Sequence, residues 1–241
     1  MLDRPLLILG GTTLALALAR QLAARDIPAI YSLAGRTAPK VLPEMEVRSG
    51  GFGGVAALLE YLEARDVRAV IDATHAYAVQ ISANAAATHH LLLRLTEMPW
   101  QQVAGDQWTN VPDISAARDA AAAIAERVFV TTGRQAMDQY SHDARCWWLA
   151  RVIEPGPDLD RGAYLQDRGP FELADELALL RKHRIEAVIS KNAGGASTYP
   201  KIAAARGLGL PVIMIDRPPP SKADTVHTTD AAMAWISTLG A

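Results

Sequence analysis

This sequence has one cysteine, few aromatic residues and almost no net charge. Cys146 is the only cysteine among 241 residues, which excludes an internal disulfide framework and a zinc cluster of several thiolates, and suits the reducing cytoplasm. A formal charge of −2 leaves no basic surplus to neutralise a nucleic-acid backbone or to hold an anionic membrane. We therefore expect a small-molecule partner and predict no nucleic acid or membrane. We also predict no metal site, because no third ligand at a metal-like spacing accompanies His89-His90.

Long hydrophobic runs are missing as well. The apolar run 6–9 is far too short to span a bilayer, and Asp3 and Arg4 do not form the charged leader of a signal peptide. Half of the residues are hydrophobic, which is enough to build a sizeable core in one large or two small domains.

Short β-rich runs alternate with longer helical patterns along the chain. The predicted strands cover residues 5–9, 27–32, 69–72, 127–131, 187–190 and 211–215. Such alternation predicts parallel sheets that are covered by helices on both faces. A segment without clear periodicity, 99–112, separates two series of this kind. The predicted fold class is therefore α/β, with two Rossmann-like parallel-sheet domains that face an interdomain cleft.

We place the domain boundary between residues 110 and 111. Residues 1–110 form the predicted N-terminal Rossmann-like domain, and residues 111–241 form the C-terminal one, whose last helix has the option of packing back on the first. Ligands of such sheets sit outside the carboxyl ends of the strands. Four loops fall at such ends, namely residues 10–13, 72–78, 131–134 and 190–195.

The loop Gly10-Gly11-Thr12 lies between a strand and a helix. Missing side chains there let a backbone approach a pyrophosphate, and the helix N-terminus stabilises negative charge; a simple tight turn is the alternative. The second predicted strand ends in Ser32, and Arg36 follows where NAD-selective folds usually carry a carboxylate. A guanidinium can clamp a 2′-phosphate, so this pattern predicts NADP, against a solvated loop arginine as the alternative.

Other loops carry polar groups for which a structural role is an equal alternative. The glycine cluster 50–54 either admits the nicotinamide half of the cofactor or forms a hinge, and His75 either contacts a ligand or caps a helix. The candidate cofactor-binding residues are Gly10, Gly11, Thr12, Thr13, Ser32, Gly35, Arg36, Thr37, Gly51, Gly53, Asp72, Thr74 and His75.

In the second half, cationic and amide donors stand at predicted helix starts, where they suit the carboxylates of an anionic substrate. The candidate substrate-binding residues are Thr132, Gly133, Arg134, Ser190, Lys191, Asn192, Gly194 and Gly195. Ion pairing between the domains is the alternative for Arg134 and Lys191. Short-chain dehydrogenases carry a Tyr-x-x-x-Lys pair. That class is disfavoured here because Tyr140 and Tyr199 are each followed four positions later by alanine in place of the lysine.

Ten short motifs, in this order and spacing, together resemble the precorrin-6A reductase family of cobalamin biosynthesis. They are ILGGT at 8–12, SLAGRT at 32–37, GGFGG at 50–54, IDATH at 71–75, ISANAA at 81–86, PW at 99–100, TTGRQ at 131–135, RGPF at 168–171, SKN at 190–192 and PVIMI at 211–215. The resemblance implies hydride transfer from NADPH to the precorrin-6A macrocycle, a polycarboxylate tetrapyrrole, giving precorrin-6B. Because positive charge already present on such a ring makes it a hydride acceptor, we name His75 and Lys191 only as candidate electrostatic or proton-delivering groups.

The chain departs from the family pattern at Leu14 and Ala15, at Ala76-Tyr77 and at Ala193, which leaves open the detailed nicotinamide and substrate contacts. Three alternatives also stay open: a cobalt-precorrin-6A reductase, an NADPH reductase of another conjugated or carbonyl substrate, and a noncatalytic NADP-binding sensor. We expect a monomer or weak homodimer, with handover contacts to neighbouring pathway enzymes as an option.

Overall fold

The computed structural model describes residues 3–35, 44–219 and 222–240. The strands are β1 (Leu6–Leu9), β2 (Ala29–Leu33), β3 (Glu46–Ser49), β4 (Ala69–Asp72), β5 (Leu92–Leu95), β6 (Trp108–Val111), β7 (Arg127–Val130), β8 (Trp147–Val152), β9 (Gly162–Gln166), β10 (Ala187–Lys191), β11 (Val212–Ile215) and β12 (Asp224–Val226). The α-helices are α1 (Thr13–Ala23), α2 (Val55–Ala64), α3 (Val79–Ala87), α4 (Ile114–Ala122), α5 (Leu173–Lys182), α6 (Pro200–Gly207) and α7 (Thr229–Thr238), and a 3₁₀ helix covers Arg134–Gln139.

The chain forms two compact units, Met1–Met98 with Pro218–Ala241, and Pro99–Arg217. The first unit contains a six-stranded parallel sheet in the order β3-β2-β1-β4-β5-β12. With β12 counted as the sixth strand, this is the 3-2-1-4-5-6 order of dinucleotide-binding folds.

The second unit repeats the same order around β7. Its sheet reads β9-β8-β7-β10-β11-β6, and all of these strands are parallel. The predicted α/β class with two parallel sheets is confirmed. In each sheet the sixth strand is out of sequence, because β6 precedes β7 and β12 follows the entire second unit.

The predicted boundary at residues 110 and 111 falls inside β6. Trp108 through Val111 pair with β11, so the segment from Pro99 onward belongs to the second unit. The C-terminal helix α7 packs in the first unit, where Ala232 and Ile236 join the core around α1.

Alternation along the central strands explains why both faces are covered. On β1, Leu6 and Ile8 pack with α1 and α7, whereas Leu7 and Leu9 pack with α2, as the two-residue period of a strand requires. Apolar residues buried on both sides produce the short continuous runs that mark a central parallel strand. Within the described ranges, every helix is too short or too polar to cross a bilayer.

Candidate active site

Each sheet has one point at which the chain leaves neighbouring strands in opposite directions. In the first sheet these strands are β1 and β4, and in the second they are β7 and β10. The loops that follow them diverge at the carboxyl edge and leave a crevice, which is where open α/β sheets bind ligands. The four loops singled out in the sequence all lie at these two switch points.

Glycine is required at the two positions after β1 for different structural reasons. The Gly10 amide donates to the Ser32 carbonyl at 2.8 Å, and a Cβ on Gly10 would lie 2.4 Å from the Tyr31 ring. Gly11 has φ +112°, and a Cβ there would meet no heavy atom of the described chain within 4 Å. Gly10 therefore makes room for Tyr31, whereas Gly11 leaves an open approach to the backbone.

Tyr31 supports this loop and was not singled out in the sequence. Its hydroxyl accepts a hydrogen bond from the Gly11 amide at 3.2 Å. Burial raises the pKa of the Tyr31 hydroxyl, which keeps the ring neutral beneath the loop.

Thr12 joins the two loops of the first switch point. Its hydroxyl caps α1 by accepting from the Ala15 amide at 3.1 Å, and donates to the Ala73 carbonyl at 2.8 Å. Thr13 is the first residue of α1. The cap fixes the helix N-terminus, with its remaining amide donors and positive dipole end, at the crevice.

A buried ion pair holds the loop after β4. Arg94 on β5 contacts the Asp72 carboxylate at 2.5 Å, and both side chains are buried. Thr74 donates to the same carboxylate through its hydroxyl at 2.7 Å, while Arg94 also donates to the carbonyls of Thr74 and His75. The polar groups of Asp72 and Thr74 are thus used inside the loop, and Arg94, missed in the sequence, is its central donor.

His75 is exposed at the tip of this loop. Its Nδ1 accepts from the Tyr77 amide at 3.3 Å, and the two rings lie 5.7 Å apart. An accepting Nδ1 places the proton of the neutral ring on Nε2.

The carboxyl end of β2 is held by a second residue that the sequence reading missed. Arg48 on β3 donates to the Ser32 hydroxyl at 2.8 Å and to the Gly50 carbonyl at 2.9 Å. Its guanidinium lies 3.8 Å above the Phe52 ring. This arrangement puts a cation at the strand end where Rossmann-like folds recognise the ribose.

Glycines flank this cation on both sides. A Cβ on Gly35 would lie 2.9 Å from the Ser49 hydroxyl, whereas a Cβ on Gly51 would meet nothing within 4 Å in the described part of the chain. A Cβ on Gly53 would lie 3.9 Å from the Ala57 Cβ. The predicted cofactor residues Arg36 and Thr37 lie outside the described residues.

At the second switch point a lysine connects the two loops. Lys191, the last residue of β10, donates from Nζ to the Thr132 carbonyl at 2.7 Å. Burial lowers the pKa of Lys191. Gly133 follows with φ +85°, and the exposed Arg134 donates to the Pro155 carbonyl at 2.8 Å. The structure thus brings Lys191 and Thr132 together, while Arg134 extends toward a neighbouring loop.

The rest of the loop after β10 is fastened by Trp100. The Asn192 side chain accepts from the Trp100 amide at 2.7 Å and donates to its carbonyl at 3.1 Å. The Trp100 indole donates to the Gly195 carbonyl at 2.9 Å. Ser190 is fully buried, and Gly194 has φ +75°. Asn192 therefore shapes this loop through backbone contacts.

The strand order and the two loop pairs define a two-unit α/β protein built on dinucleotide-binding topology. The family model for "Precorrin-6x reductase CbiJ/CobK" matches residues 5–237. The chain belongs to the precorrin-6x reductase family, and the resemblance found in the sequence is confirmed.

Individual relatives are similar to this chain over nearly its whole length. The chain is 43% identical to precorrin-6A reductase of Rhodococcus erythropolis, covering 97% of this chain and 98% of the relative. It is 44% identical to precorrin-6A reductase of Rhodobacter capsulatus, covering 98% and 97%. A solved structure of CobK precorrin-6A reductase is 43% identical with a TM-score of 0.90, covering 99% and 98%. Cobalt-precorrin-6A reductase of Salmonella typhimurium is 29% identical, covering 91% and 90%.

Proposed function

We propose that this protein is a precorrin-6A reductase of cobalamin biosynthesis that uses NADPH to reduce the macrocycle to precorrin-6B. The observation that carries the proposal is the agreement with precorrin-6A reductases over nearly the whole chain, joined to a glycine loop at the first switch point. The lower identity to the cobalt-precorrin enzyme favours a metal-free substrate.

The first unit suits a dinucleotide. Gly11 leaves its backbone open, the capped N-terminus of α1 favours a phosphate, and Thr13 belongs to the first helical turn. These features support pyrophosphate binding at the loop after β1. Since Asp72 and Thr74 are engaged with Arg94, we assign them to holding the loop, and leave the exposed His75 as the candidate contact.

The end of β2 supports the phosphorylated form of the cofactor. Ser32 stands near the strand end, where a carboxylate would favour NAD, and Arg48 binds its hydroxyl. A guanidinium there attracts the 2′-phosphate of NADPH, whereas the ribose of NADH offers it no negative charge. Arg36 from the sequence reading remains the second candidate for this contact.

The second unit suits the carboxylates of the substrate. Lys191 and Arg134 supply positive charge beside the loops 131–134 and 190–195, and Gly133 leaves its backbone open. When bound, NADPH supplies the hydride. The chain contributes orientation, and His75 and Lys191 are the candidates for delivering the accompanying proton.

The test is anaerobic NADPH oxidation by the purified protein with precorrin-6A, followed by absorbance, with NADH and cobalt-precorrin-6A in parallel reactions. We expect NADPH to be consumed in step with a changed macrocycle spectrum, and NADH and the cobalt substrate to react more slowly. Binding of NADPH without turnover of either macrocycle would reject the reductase and favour the sensor. Faster reaction with the cobalt substrate would assign the protein to the cobalt-containing branch.

Arg48→Met separates the cofactor assignment from the substrate assignment. We expect NADPH affinity to fall about tenfold, the effect of losing one charge-assisted phosphate contact, while NADH affinity stays unchanged. Isothermal titration calorimetry measures both. An equal loss for the two cofactors would show that Arg48 only shapes the glycine cluster.

A further inference from the structure

Three ionisable side chains from three elements meet inside the second unit. Arg151 on β8 pairs with Glu176 on α5 at 2.6 Å, and their side chains are 7% and 1% exposed. Lys201 in the first turn of α6 is 6% exposed, and it interacts with the charges of both. We call Arg151, Glu176 and Lys201 the buried triad.

Burying the triad lowers the stability of the folded protein. A buried ammonium loses its hydration, and the N-terminal turn of a helix repels a cation. Burial accordingly lowers the pKa of Lys201 to about 7. Arg151 Nε and Nη1 and Glu176 Oε2 are buried and have no hydrogen-bond partner among the described residues. An apolar residue at position 201 would avoid these costs, and such local violations concentrate at functional sites.

What the triad contacts is the loop after β10. Lys201 donates from Nζ to the Thr198 carbonyl at 2.8 Å, and its Nζ lies 4.9 Å from the centre of the Trp100 ring. Trp100 in turn binds the Gly195 carbonyl. Lys201 therefore holds the segment at two places, directly at Thr198 and through Trp100 at Gly195.

Arg151 contacts the same segment through Phe171. Its guanidinium lies 3.9 Å from the centre of the Phe171 ring, and the Phe171 amide donates to the Ser197 carbonyl at 3.1 Å. The loop 192–199 begins next to Lys191 and contains Asn192, Gly194 and Gly195. The two glycines have positive φ angles, +75° and +76°, a backbone conformation that other residues adopt only with strain.

We propose that Lys201 is a positioning residue for the substrate, because its protonated amine, attracted by the Glu176 carboxylate, locks the loop 192–199 in its binding conformation. The reference to the substrate rests on the proposed function; the control of the loop does not. Loss of the proton weakens the bond to Thr198 and the attraction to Trp100 together. Among the described residues, the charged groups that face Lys201 are Glu176, which attracts its protonated amine, and Arg151, which repels it.

The first test measures the loop itself, by amide hydrogen exchange of the unliganded protein at pH 6 and pH 8.5, expressed as protection factors. We compare wild type with Lys201→Met, with Lys201→Arg, and with Lys182→Met, an exposed lysine on α5, as control. In wild type we expect protection at 195–199 to fall about tenfold between the two pH values, the factor for losing one charge-assisted hydrogen bond. Lys201→Met should be unprotected at both pH values, and Lys201→Arg protected at both.

The second test measures KM and kcat for precorrin-6A. Lys201→Met should raise KM about tenfold, matching the loss of loop protection, while kcat and NADPH affinity stay at the wild-type values. Equal protection in wild type and Lys201→Met, or a more stable variant with unchanged KM, overturns the proposal. If wild type does not reduce precorrin-6A but its loop still responds to Lys201→Met, the proposed function fails while the control of the loop stands.

Discussion

The two switch points share one strand order but differ in chemistry. At the first, the loop after β1 leads into an α-helix capped by Thr12, and a matched ion pair, Asp72 with Arg94, lies beneath. At the second, the loop after β7 leads into a short 3₁₀ helix, Lys191 bridges the loops, and the buried triad carries an additional cation. The first switch point offers backbone amide donors, and the second offers side-chain cations. The loops, rather than the order of the strands, therefore decide what each unit can bind.

The sharpest way to break this comparison is to remove the buried arginine of each unit. Arg94→Met leaves Asp72 buried without a counter-charge, and we expect the free energy of unfolding to fall by about 3–5 kcal/mol. Arg151→Met should cost less, because Lys201 remains beside Glu176. Urea denaturation measures both, with the exposed Arg20→Met as control at about 0.5 kcal/mol or less. Equal losses for the two buried arginines would show that Lys201 does not compensate Glu176.

The next prediction concerns how stability depends on pH. The pKa of Lys201 is about 7 in the folded protein against an ordinary value of 10.5, so between these values the unfolded chain holds a proton that the folded protein lacks. Stability from this group therefore rises with pH across that window, by up to about 1.4 kcal/mol per pH unit. Lys201→Met should remove this slope and raise stability most at pH 7 and below.

Denaturant titrations at pH 6, 7, 8 and 9 give the difference between variant and wild type. Lys182→Met is the comparison, because it removes an exposed lysine of α5 and leaves Lys201 in place, so this variant should keep the wild-type slope. A constant difference for Lys201→Met would mean that its amine keeps the same charge over the entire window.

Sequence reasoning located the central strands β1, β2, β4, β7, β10 and β11, and it missed the outer strands β3, β6, β9 and β12 together with the interior strand β5. The apolar runs in β1, β4 and β10 are buried on both faces and were visible as continuous hydrophobic segments. The outer strands β3, β6 and β12 read EVRS, WTNV and DTV and are partly exposed, so hydrophobic periodicity had little to detect. That is why the predicted boundary fell inside β6.

The candidate site divides in a similar way. Glycine loops and cations next to strand ends could be read locally, so the loops at both switch points were found. Arg94, Arg48 and Lys201 were missed because their roles depend on partners on other elements: Asp72 lies 22 residues before Arg94. A single sequence contains no signal that pairs such residues before the topology is known.

Glycine substitutions sharpen the functional side of the comparison. Gly11 and Gly133 both have positive φ and an open Cβ direction within the described residues, so Gly→Ala should cost each about 1–2 kcal/mol of stability. Gly11→Ala should weaken NADPH binding about tenfold or more by occupying the approach to the pyrophosphate. Gly133→Ala should raise KM for the macrocycle and leave NADPH affinity unchanged. Calorimetry and steady-state kinetics separate these effects, and exchanged phenotypes would reverse the assignment of the two units.

The smallest expected effect comes from two threonines that cap helices of the first unit in the same way. Thr12 and Thr228 each accept from the amide three residues on at 3.1 Å, so replacing either by alanine should cost about 1 kcal/mol of stability. Only Thr12 also donates to Ala73 and lies at the switch point. Thermal denaturation should therefore show a loss of stability for both variants, the larger one for Thr12→Ala, which also loses the bond to Ala73, while calorimetry should show weaker NADPH binding for Thr12→Ala alone. If Thr228→Ala weakens NADPH binding equally, loss of stability rather than loss of the cap at the pyrophosphate explains the effect, and the cofactor must be sought away from the N-terminus of α1.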